Sequence, residues 1–158
     1  KKMSFNFDEL LNKGNEAADL VVQNNSEIKA VLDDLEASLA RFLGIDIKLV
    51  EEIEYEDDGK HPFMRTATIF EPRKRTGYNH ISVLHEETGV KRKIMTIKRS
   101  NEGYPIVVVD GKNHYSSDNQ SEFADAVGSV VTNSQTHLIF RAFARNVKES
   151  LEKRKASE

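Results

Sequence analysis

The sequence predicts an α+β protein: a five-stranded, mostly antiparallel meander sheet flanked by an N-terminal helical pair and C-terminal helices, in the order ααβββββαα. Three observations carry this. Apolar residues recur at helical spacing as far as Phe42, the period drops to 2 from Ile45, and helical spacing returns after Asp118. The strand-like runs between are mostly separated by short Gly-containing turns, which suit hairpins rather than crossover connections.

The first helix has a start signal. Asn6 with Glu9 three residues on has the spacing of a capping box, and Phe5 and Leu10 occupy the staple positions. Phe7, Leu10, Leu11, Ala18, Val21 and Val22 follow at helical spacing, with Gly14 a weak link on the same face. Asn24-Asn25-Ser26 predicts an interruption. A second helix then carries Ile28, Val31, Leu32, Leu35, Leu39 and Phe42 on one stripe, puts Asp33, Asp34 and Glu36 toward water, and stops at Gly44.

Ile45 to Glu56 alternates as a half-exposed strand, and Asp57-Asp58-Gly59 is a turn. Residues 63–70 predict a second strand, residues 71–77 a loop, and residues 80–86, 90–99 and 104–110 three more strands. Ile106 to Val109 is continuously apolar, as in a strand covered on both faces. Asp118 is placed to cap a helix with Phe123, Ala126, Val127, Val130 and Val131 on one face. After a break or re-cap at Thr132-Asn133-Ser134, Leu138, Ile139, Ala142, Phe143, Val147 and Leu151 form a longer stripe. Residues 152–158 are expected to fray. Nothing divides the chain, so residues 1–158 are read as a single α+β domain.

A chain of 158 residues has material for a full core. Having no cysteine, it excludes disulfides, thiolate metal sites and cysteine nucleophiles. No apolar run reaches the roughly 20 residues of a membrane helix, and the start lacks the apolar stretch of a signal peptide, so a cytoplasmic protein is expected. The net charge of −3 is unevenly spread: residues 1–58 carry 15 acids against 6 bases, and residues 59–99 carry 10 bases against 3 acids.

That basic middle is the first candidate site. Arg73, Lys74 and Arg75 fall in one loop, and Lys91, Arg92 and Lys93 on one strand with Lys98 and Arg99 beyond; Arg65 adds to them. Clustered cations are what phosphates require, so these residues are candidate contacts for nucleic acid or for an acidic partner. The competing reading is cross-strand pairing with Glu52, Glu54 and Glu56.

Metal-dependent hydrolysis is the next candidate. His61, His80, His85, His114 and His137 have acids near several of them in sequence, but no pair shows a ligand spacing such as HExxH. Five positions apart, His80 and His85 point to opposite faces of a strand. Asp46-Ile47-Lys48 has a spacing used by metal-dependent nucleases, and Asp58-Gly59-Lys60 and Asp110-Gly111-Lys112 repeat it in turns, with no further carboxylate identified. No phosphate-binding glycine loop and no GxSxG elbow appears, so no cofactor is expected. The functional reading is a small, non-catalytic protein-interaction or regulatory module. Amphipathic helix surface left over from the core would bind a partner helix or a second copy as a homodimer.

Overall fold

The computed structural model describes residues 5–57 and 72–157. Among them run a long helix α1 (Phe7–Leu43), strands β1 (Lys48–Tyr55), β2 (Arg75–His85), β3 (Val90–Ser100), β4 (Gly103–Asp110) and β5 (Asn113–Ser117), and helices α2 (Gln120–Val131) and α3 (Ser134–Ala156). The strands lie in sequence order, each antiparallel to the next. The α+β meander expected from the period switch is therefore the fold, with one N-terminal helix in place of two.

Asn24-Asn25-Ser26 does not interrupt α1, which runs for 37 residues, about 55 Å at 1.5 Å per residue. Their poor helix propensity costs only tenths of a kcal/mol each. Tertiary contact outweighs it: the Asn24 amide donates to the Glu102 carbonyl oxygen at 3.0 Å, tying α1 to the β3–β4 turn. Asn6 adopts a left-handed conformation (φ 62°) and makes no side-chain cap; its amide donates to Glu9 instead. At the other end Gly44 (φ 66°) closes the helix as expected, its N–H donating to the Ala40 carbonyl at 2.9 Å.

The strands also differ from expectation in detail. The strand expected at residues 63–70 lies outside the described residues. Arg75, Thr76 and Gly77, expected in a loop, begin β2. A strand not expected from the sequence, β5, follows β4 and pairs with it from Ile106↔Ser117 to Asp110↔Asn113. The cap of α2 is Asn119, one residue beyond Asp118. Its side chain accepts from the Glu122 N–H at 2.9 Å, while the Glu122 carboxylate accepts from the Asp118 N–H. Asn133 re-caps α3 by accepting from the Gln135 N–H. Rather than fraying from residue 152, α3 continues to Ala156, its last turn carrying Lys153, Arg154 and Lys155, charges suited to a helix C-terminus.

Ile81, Val83, Ile97, Ile106 and Val108 are fully buried on one face of the sheet. The three helices pack against it: α1 on β1 and β4, α2 on β4 and β5, α3 on β3. Ile28 and Leu39 of α1, Phe123, Val127 and Val130 of α2, and Phe140, Phe143 and Val147 of α3 complete this core. Val107 and Val109, pointing the other way, are only half-buried, so β4 is not covered on both sides. Glu36, expected toward water, is only partly so. It is half-buried and accepts from the Leu49 N–H at 2.8 Å, covering part of the outer edge of β1.

Candidate interaction surface

Among the described residues the basic side chains do not assemble into one patch, and Arg65 lies outside those residues. Side chains opposite one another across a ladder share a face. Lys91 lies opposite Leu84 and Lys93 opposite Ser82, whereas Arg92 lies opposite Val83, which belongs to the helix-covered face. Three consecutive strand residues thus divide between two sides. Arg73 and Lys74 lead into β2 and Arg75 begins it, pairing with Tyr55, while Lys91–Lys93 border the far end of that strand. Seven to nine residues of extended chain separate the two groups, roughly 25 Å.

Much of the charge is answered inside the sheet. Lys91 reaches over β2 to Glu52 at 2.6 Å, His80 meets Glu54 at 2.6 Å, and Lys48 meets Glu86 at 3.0 Å. Lys98 stands 5.4 Å from the centre of the Tyr78 ring, a cation–π distance. On the helix side Arg99 grips Glu51 with two hydrogen bonds, 2.9 and 2.8 Å, and Asn79 adds a third at 2.6 Å. Burial raises the Glu51 carboxyl pKa, but the bonds from Arg99 and Asn79 and the Arg99 charge outweigh it, holding it below its ordinary value. Arg73, Lys74, Arg75 and Lys93 make no ion pair with another described residue.

The histidines are dispersed. His80 sits on the face opposite the helices, while His85 is buried and bonded to the Thr88 hydroxyl at 2.7 Å. His137 bonds the Val131 carbonyl, and His114 is exposed on β5. His61 and the Asp58-Gly59-Lys60 turn lie outside the described residues. Asp46 and Lys48 line a shallow cleft of about 440 Å³ with Leu84, His85, Glu86 and Glu87. Among the described residues no three histidines or carboxylates come together in a way that would hold a metal ion.

The surface that stands out is on α1. From Ile28 to Leu39 its apolar stripe packs against the sheet and α2, with Phe42 beyond it exposed, whereas residues 5–20 are exposed throughout. Phe7, Leu10, Leu11 and Val22 are 63%, 53%, 70% and 69% exposed. Residues 7–22 form a stalk about 24 Å long that leaves the body near residue 24. The exit is held firmly. Besides the Asn24 bond, the Tyr104 hydroxyl donates to the Glu27 carboxylate at 3.1 Å, and the Gln120 amide donates to the Glu27 carbonyl at 3.1 Å. Burial first, then the bond and charge of Glu27, push the Tyr104 phenol up to about 12. Helical periodicity marked the stalk residues in the sequence, but periodicity does not say whether a stripe is covered.

The fold and this surface define an α+β protein with an apolar helical stalk projecting from its body. Comparison with protein-family models, with curated proteins and with solved structures returned no match. No described helix is long and apolar enough to cross a membrane.

Proposed function

We propose that this chain is a non-catalytic protein-interaction module that docks a helical partner along the projecting half of α1. One observation supports it above the others: Phe7, Leu10 and Leu11 lie on one stripe of a helix that no other described element covers. Burying each would contribute about 1.5–3 kcal/mol. A helix of 16 residues is marginal by itself in water, so a stalk this apolar gains order as well as burial from a partner. Of its acids, Glu9, Glu16 and Asp19 fall away from the stripe and Asp8 only flanks it, so no acid lies within the apolar face. Nucleic-acid binding has less support, because the two basic groups lie far apart and part of their charge is paired with β1.

The test is cross-linking in cells producing either the chain or its Leu11→Glu variant, with partners identified by mass spectrometry. At least one protein, this chain included, should cross-link through residues 5–24 of the unaltered chain and vanish with Leu11→Glu. Identical cross-links from both would remove the stalk from the account.

A further inference from the structure

We infer that the partner along the stalk is the stalk of a second copy, running antiparallel to the first about a two-fold axis. This rests on the docking role just proposed and names its occupant.

Continuity with the core sets the orientation. Phe7, Leu11, Gly14, Ala18 and Val21 follow one another at alternating steps of four and three, and the same series continues through Asn25 to Ile28 and Leu32. From Ile28 on, that face is occupied by the protein's own sheet and α2. A partner helix can therefore lie on the stripe only before residue 24. Two parallel copies would bring their bodies to the same end and drive each sheet into the other's α1. Antiparallel copies overlap through the stalks alone and place the bodies at opposite ends.

Side-chain size sets the register. The bulk is at the start of the stalk, in Phe7, Leu10 and Leu11, and the small residues follow at Gly14, Ala17 and Ala18. Turned head to tail, Phe7 of one copy meets Ala18 of the other and Leu11 meets Gly14, knob against recess. A parallel pair would set phenylalanine against phenylalanine and glycine against glycine. Gly14 has open space around it, with nothing within 4 Å of where a Cβ would stand. Asp8 is the one charged residue flanking the seam, so no acid of one copy confronts an acid of the other. Phe7, Leu10 and Leu11 are more than half exposed on each copy, and the two-fold doubles the apolar surface that a single stalk can bury. A two-fold contact uses the same patch twice and closes, so assembly stops at the dimer.

Sedimentation equilibrium of the full chain between about 1 and 100 µM tests the association. A monomer–dimer equilibrium is expected, weakened on the order of 100-fold or more by Leu11→Glu, since the two-fold applies the change twice. Gly14→Leu is the sharper variant. It favours helix and adds apolar surface, yet it fills the recess that Leu11 of the other copy enters, so it too should weaken the dimer. Because the chain has no cysteine, a spin label at Gln23→Cys gives orientation. Antiparallel copies put the two labels roughly 40 Å apart, and parallel copies roughly 25 Å. The shorter distance, or a dimer strengthened by Gly14→Leu, overturns the antiparallel pairing. A chain monomeric at 100 µM overturns the second copy as occupant. The docking role survives that result if the monomer still shows foreign cross-links lost with Leu11→Glu, and falls with it if there are none.

Discussion

At the scale of single residues, Glu51 connects charge to stability. It sits beside the middle of α1, near Lys29 and Asp33, with Arg99 and Asn79 bonded to its carboxylate, and its pKa lies below the ordinary value despite burial. A carboxyl whose folded pKa is depressed contributes stability present above its unfolded pKa, near 4.3, and lost as pH falls through the folded value. Glu51→Gln should therefore lower the thermal midpoint at pH 6 and narrow its gap from the unaltered chain as pH drops below about 4. Thermal unfolding between pH 2.5 and 6 checks this, and parallel curves across the range would show that the pair adds nothing through its charge. Cross-strand pairing was foreseeable from the sequence, since acids dominate β1 and bases β3. The particular pair was not. Glu51 falls among the apolar alternation of Ile45, Ile47 and Leu49, and only the register places Arg99 within its reach.

At the scale of elements, the joint between α1 and the β3–β4 turn decides where the stalk points. Gly103 has φ +93°, a conformation that side chains resist, and a Cβ there would stand 2.8 Å from the Asn24 Cβ. Gly103→Ala must strain the turn or push it from α1, costing about 1–3 kcal/mol. Urea unfolding should show a lower midpoint, and hydrogen exchange should quicken around residues 20–30; an unchanged midpoint would mean the joint yields without cost. The period switch at Ile45, the Gly44 stop and the Asn133 re-cap were legible because each rests on a few adjacent residues. The unbroken helix through Asn24-Asn25-Ser26 was not. A contact 78 residues away in the chain overrides weak local propensity there. β5 was hidden for a related reason: its five residues, Asn-His-Tyr-Ser-Ser, have little apolar alternation and become a strand through pairing with β4.

For the whole molecule, the open question is what an acidic chain does with a basic middle. Sequence position groups Arg73–Arg75 with Lys91–Lys93; the meander sets them at opposite ends of β2 and sends Arg92 to the other side of the sheet. Counterion release rewards many phosphate contacts made together, and two or three cations at each of two distant places do not give it. With Lys91 held by Glu52 and a net charge of −3, the field of the whole protein opposes a polyanion. Labelled duplex DNA and single-stranded RNA titrated at about 50 mM salt should show little anisotropy change, and Lys93→Glu should not alter it. Tight binding that weakens about 10³-fold between 50 and 200 mM salt would mean six or more phosphates are held at once. The two basic groups would then have to act as one surface, and the stalk would be the lesser of the protein's two contacts. Without such binding, the charge of the middle segment serves the sheet, and the exposed apolar half of α1 stands as the proposed contact surface.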